Sequence, residues 1–135
     1  MTDTPILNHE NLDAYQAAVQ LLALAHQIIG QIPRGHGVMV EQLRKASLSI
    51  PLNIAEGYGK RTAADQAKYY DIARGSAHEC GALVDAAKVL GFIDEQIHSS
   101  SKTLLHRIVS MLVRSIVEIG DGDGDANGYG YGTRI

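Results

Sequence analysis

Tryptophan is absent from this chain, and phenylalanine and cysteine each occur once. With aromatics at 5%, a core built on large rings is excluded, so the 45% apolar share falls to Leu, Ile, Val and Ala. Such residues suit helix-on-helix packing better than a β-sandwich, which favours aromatic and β-branched residues. The lone Cys80 excludes an internal disulfide framework and fits a reducing cytoplasm. No apolar run approaches the roughly 18 residues of a membrane span, and the leading Met1-Thr2-Asp3-Thr4-Pro5 lacks the basic and apolar regions of a signal peptide. A soluble cytoplasmic protein is expected. A large charge of one sign is also missing. The net charge is −3; three Asp and one Arg lie from Gly120 onward, so the remaining 11 cations and 12 anions leave the body at −1. This is no general polyanion binder, although a local basic patch fits within such a balance.

The 135 residues suit one domain. Residues 1–10 read as a short leader, 11–119 as a four-helix bundle and 120–135 as an acidic Gly-rich tail. The first helix carries two apolar stripes with steps of three and four: Leu12, Tyr15, Val19, Leu22, His26 and Ile29, and then Ala18, Leu21, Ala25, Ile28 and Ile32. Two adjacent stripes imply contact with two neighbours. Gly30 and Pro33 end this helix, and His36 reads as a solvated loop residue between Gly35 and Gly37. The second helix spans about Val38 to Glu56, with Met39, Leu43, Ala46, Ile50 and Ile54 inward. Pro51 interrupts it and predicts a kink rather than two separate helices. Thr62 with Asp65 reads as a capping box opening the third helix. Its stripe is Tyr69, Ile72, Ser76, Cys80, Leu83, Ala87 and Leu90, and its small residues predict the tightest helix crossing between Gly75 and Gly81. Gly91 ends it. A short link through Phe92 and Ile93 predicts an antiparallel return. The fourth helix follows Asp94 and Glu95, with Ile97, Ser101, Leu104, Ile108, Leu112, Ser115 and Ile119 inward. Val109, Met111, Val113, Ile116 and Val117 widen its apolar face beyond what a lone bundle needs, which hints at self-association. The Gly/Asp-rich run from Gly120 predicts a disordered tail. No internal repeat is present.

Motifs for chemistry are weak. Asp121, Asp123 and Asp125 resemble the start of a calcium loop, but Ala126 and Gly132 stand where that loop needs Gly and Glu. Glu95 and His98 match one Glu-x-x-His motif of a di-iron bundle, without the required second copy. Gly59-Lys60 lacks the preceding glycine of a P-loop; Ile54 holds that place. Neither a catalytic grouping nor a cofactor is expected, and Cys80 reads as a small core residue. Two sets remain. Arg44, Lys45, Lys60 and Arg61 form a candidate basic patch for an anion or nucleic-acid phosphate. Asn53, Glu56, Arg74 and Glu79 form a candidate structural network, in which a carboxylate on one helix meets an arginine on the next.

The stretch from Gln42-Leu43-Arg44-Lys45-Ala46 through Ser49-Ile50-Pro51-Leu52-Asn53-Ile54-Ala55-Glu56-Gly57 resembles the signature of bacterial four-helix bundle proteins encoded in intervening sequences of large-subunit rRNA genes. Ile72-Ala73-Arg74-Gly75-Ser76-Ala77-His78-Glu79 resembles their second signature. Leu12 to Ala18 and the Leu90-Gly91-Phe92 link fit as well. The resemblance implies an all-α, antiparallel up-and-down bundle, assembly into a ring, a homopentamer, and no catalytic activity. A related group, the accessory variability proteins of diversity-generating retroelements, is basic, binds nucleic acid and partners a reverse transcriptase. This chain differs in being slightly acidic, and it carries Leu52 where a small polar residue is usual. The first expectation is therefore a non-enzymatic homo-oligomeric scaffold with weak RNA or protein binding and no membrane association. The alternative is a nucleic-acid-binding accessory subunit beside a reverse transcriptase.

Overall fold

The computed structural model describes residues 3–123. A short 3-10 turn at Asn8–Asn11 leads into α1, Asp13–Ile29, followed by α2, Gly37–Tyr58, α3, Ala63–Val89, and α4, Glu95–Asp123. Helices α1 and α2, α2 and α3, α3 and α4, and α4 and α1 pack together, while the diagonal pairs make no close backbone approach. This is the closed square of an up-and-down four-helix bundle. Both the α1–α2 and α3–α4 links lie at one end of it, where His36 meets Phe92 edge-on at 4.8 Å between ring centroids. His36 is thus half-buried against an aromatic ring and not solvated as its glycine-flanked loop predicts. Glycine is required in both links: Gly35 has φ +95° and Gly91 has φ +81°.

In α1 the buried stripe is Ala14, Ala17, Ala18, Leu21, Ala25 and Ile28. The other expected stripe is only half-buried, and its Val19 and His26 are exposed. Helix α2 runs through Pro51 as one helix, and it buries Leu43, Ala46, Ile50 and Ile54 as expected. Proline removes the donor to the Ser47 carbonyl. Nearby side chains supply local bonds: Ser47 Oγ donates to the Arg44 carbonyl at 3.3 Å, and Asn53 Nδ2 donates to the Ser49 carbonyl at 2.8 Å. The helix also continues past Glu56, so Gly57-Tyr58 closes it instead of breaking it.

Thr62 caps α3, its Oγ1 accepting from the Asp65 N–H at 3.1 Å. The buried face of α3 differs from the expected one. It comprises Ala67, Tyr70, Ala73, Ala77, Cys80, Val84 and Ala87, whereas Ile72 and Leu90 are exposed. The glycines expected at the tight crossing do not make close contacts. A Cβ on Gly75 would meet nothing within 4 Å, and one on Gly81 would just reach Leu105 Cδ1 at 4.0 Å. A Cβ on Gly57 would lie 2.8 Å from Tyr70 Cε1 and 3.0 Å from Tyr69 Cβ. The crossing that demands glycine is therefore the C-terminal turn of α2 against the Tyr70 ring, the largest fully buried side chain.

Helix α4 is capped by Asp94, whose Oδ1 accepts from the Ile97 N–H at 2.9 Å. It buries Ser101, Leu105, Ile108, Leu112, Ser115 and Ile119. The helix reaches Asp123, past the boundary expected at Gly120. The rest of the expected tail, 124–135, lies outside the described residues, as does the calcium-loop motif beyond Asp123.

Candidate functional site

The four candidate cations do not form one patch. Arg44 and Lys45 sit midway along α2, and Lys60 and Arg61 lie just beyond its C-terminus. At a rise of 1.5 Å per residue, Lys45 and Lys60 stand about 20 Å apart. Lys60 is also engaged: its Nζ lies 3.6 Å from a Glu56 carboxylate oxygen and 4.9 Å from the Tyr69 ring centre. Arg44, Lys45 and Arg61 are exposed.

The expected cross-helix network of Asn53, Glu56, Arg74 and Glu79 is also rearranged. Glu56 and Arg74 pair locally along the chain and not across the seam. Glu56 pairs with Lys60, and Arg74 pairs with Asp71 one turn back at 2.8 Å. Glu79 is exposed. Solvated carboxylates gain nothing by entering the α2–α3 seam, since burying a pair costs more in lost hydration than the pairing returns. Neutral hydroxyls bridge the seam instead. Ser49 Oγ and Ser76 Oγ lie 2.8 Å apart, and Asn53 Nδ2 donates to Ser49 Oγ at 2.9 Å. Asn53 is the one member of the expected set that takes part.

Between α3 and α4, Asp85 accepts from Lys102 Nζ at 2.7 Å and bonds His98 Nε2 at 2.8 Å. These two bonds, Lys102 first, hold the Asp85 carboxyl below its ordinary range. Lys88 pairs with Glu95. Glu95 and His98, the two ends of the Glu-x-x-His motif, therefore serve different partners, and no group of three metal-ligating side chains occurs among the described residues. Cys80 is buried, and burial, with Glu79 adding to it, pushes its thiol up to about 12. It is a thiol at neutral pH and a poor nucleophile.

Two of the grooves on the outer surface bear on function. One runs between α1 and α2 with a volume of about 470 Å³; Val19, Leu22, Ile29 and Leu48 line it, with His26 and Arg44 at its rim. The other is a cleft of about 840 Å³ between the start of α1 and α4. Leu12, Tyr58 and Met111 give it an apolar wall, and Thr103, Arg107, Ser110 and Arg114 give it a polar one. His106, Asp13 and Glu118 complete the lining.

The model of the 23S rRNA-intervening sequence protein family matches residues 10–114. The chain belongs to that family. The matched span starts in the 3-10 turn and covers α1, α2, α3 and α4 as far as Arg114. A search of curated proteins finds no match. Among the described residues of this 23S rRNA-intervening sequence protein, no helix is long and apolar enough to cross a membrane.

Arg107 and Arg114 were not singled out by motif. Their signal is the spacing Thr103, Arg107, Ser110, Arg114, which places two cations and two hydroxyls along one side of α4. Reading it requires knowing that α1 flanks this side.

Proposed function

We propose that this 23S rRNA-intervening sequence protein is a non-enzymatic scaffold that assembles from several copies of itself. The carrying observation is a pair of unlike aliphatic patches. On α2, Leu48 is 45% exposed and Leu52 56%, and Val19 of α1, 43% exposed, lines the same groove as Leu48. On α4, Val113 is 42% exposed and Val117 53%. Each α2 or α4 pair is spaced by four residues, so its members are surface neighbours and not scattered singles. Helices α2 and α4 stand on a diagonal of the bundle, so the patches stand on different sides. Two different patches favour head-to-tail contacts, which close into rings when the rotation allows. A homopentamer, as the family resemblance implies, is one such ring.

RNA contact is the subordinate part of this reading. Arg44, Lys45 and Arg61 are exposed without ion-pair partners among the described residues, and a ring would repeat them around its rim. Pairing with a reverse transcriptase is the alternative, which the slightly acidic composition disfavours. Light scattering coupled to gel filtration, with and without RNA, tests both parts. The expected result is an assembly of several copies that Leu48→Glu with Leu52→Glu dissociates while circular dichroism stays helical. RNA retention that weakens steeply with salt, and again on Lys60→Glu with Arg61→Glu, would support the RNA contact. Retention insensitive to both would remove those cations from the account.

A further inference from the structure

The α1–α4 cleft combines features that the scaffold reading does not use. Four cations elsewhere are neutralised, Lys60 by Glu56, Arg74 by Asp71, Lys88 by Glu95 and Lys102 by Asp85, while the unpaired Arg44, Lys45 and Arg61 line no cleft with one another. Among the described residues, Arg107, Arg114 and His106 form no hydrogen bond or ion pair, yet all three line one cleft. Arg107 and Arg114 are two turns apart on α4, with Thr103 and Ser110 interleaved, giving a row of donors about 16 Å long. Of the two acids in the lining, Asp13 occupies the first turn of α1, where a carboxylate is favoured by the helix dipole. It therefore has a structural reason to be there, which the arginines lack. Leu12 and Tyr58, from outside α4, and Met111, between the two arginines on α4, add apolar surface of the kind that receives a ring.

We infer that this cleft binds a small phosphate-bearing ligand of nucleotide size, with its phosphate held by Arg107 and Arg114 and its ring laid against Tyr58 and Met111. Three observations favour that class. Guanidinium forks match phosphate oxygens two at a time. The volume falls within the range of small-molecule sites. Asp13 sets a carboxylate in the lining, which suits a ligand hydroxyl and opposes a polyanion running through the cleft. A single strand would also need a stacking platform for successive bases, and the lining has only one aromatic besides His106.

Isothermal titration calorimetry on the full chain tests this, with 5′-AMP, inorganic pyrophosphate and a short oligouridylate as probes. The expected result is binding of AMP, weaker binding of pyrophosphate, and loss of both by about tenfold or more in Arg107→Gln with Arg114→Gln. Ser110→Glu, which sets a carboxylate between the two arginines, should do the same. Lys60→Gln with Arg61→Gln should leave AMP binding unchanged. Absence of AMP binding at about 10 mM, an affinity too weak to reflect a built site, would overturn the inference. So would AMP binding indifferent to both cleft variants. Oligouridylate captured through Arg107 and Arg114 without any AMP response would overturn it too and give the cleft to a strand. Light scattering of the Arg107→Gln, Arg114→Gln variant keeps the outcome separate from the assembly proposal, since these substitutions remove no residue of either aliphatic patch and add no charge beside one.

Discussion

The α2–α3 seam and the α1–α4 seam belong to one bundle but are built in opposite ways. At α2–α3 the helices meet closely: Gly57 lets the Tyr70 ring within 2.8 Å of where a Cβ would be, and Ser49 bonds Ser76 across the helices. At α1–α4 it leaves a cleft of about 840 Å³ lined with hydroxyls and unpaired arginines. The lesson is that packing is concentrated where the fold is specified, and that the open seam is held open by polar side chains that could have been apolar. That division also separates what substitutions should do.

The largest expected effect is at the tight seam. Gly57→Ala forces the Tyr70 ring or the α2 end to move, and overpacking of this kind typically costs about 1–3 kcal/mol; urea unfolding followed by circular dichroism measures it. At the open seam, Thr103→Ala should stay within about 0.5 kcal/mol of the parent in the same assay. Equal losses at both positions would erase the contrast.

Tyr70→Phe sharpens it further. The Tyr70 hydroxyl is buried with no hydrogen-bond partner among the described residues, and burial, with Tyr58 adding to it, pushes its phenol well above the usual range. Removing a buried hydroxyl without a partner relieves a desolvation cost, so the variant should match the parent or gain about 1 kcal/mol. A clear loss would mean the hydroxyl has a partner in the assembled protein. Gly75→Ala comes next. Its new methyl would meet nothing, so the substitution should stabilise by about 0.5–1 kcal/mol. The sign is opposite to that at Gly57, although both glycines lie inside helices.

The smallest effect concerns acid. Asp85 has a folded pKa below its unfolded value, so its contribution is present above about pH 4 and fades as the pH falls through the folded value. With the Asp85 side chain 51% exposed, solvent screening limits this to less than about 1 kcal/mol. Asp85→Asn should flatten the acid limb of a stability-versus-pH curve slightly and leave the α1–α4 cleft untouched.

The four helices were legible because α1, α2 and α4 pair strong aliphatic stripes with polar faces. Helix α3 was harder. Its buried positions are mostly alanines, such as Ala73 and Ala77, which carry little hydrophobic contrast, so Ile72 drew the stripe toward solvent. The glycines misled for a related reason: Gly75 and Gly81 looked like a close crossing, but whether a small residue faces a neighbour depends on helix rotation, which short side chains do not report. For the candidate site, nearness in sequence does not give nearness in space, since the length of α2 separates Lys45 from Lys60. The α4 arginines lie too far from any motif to stand out, and they become a site only when α1 packs alongside.

Assembly through unlike faces is the claim on which the functional reading stands. Light scattering of a one-to-one mixture tests it directly, using a Leu48→Glu, Leu52→Glu chain and a Val113→Glu, Val117→Glu chain, each expected to be a 14.5 kDa monomer alone. Head-to-tail contact leaves one intact interface in the mixture, so the account expects heterodimers and nothing larger. Parent protein that runs as a monomer, or a mixture in which the two variants ignore each other, would contradict it.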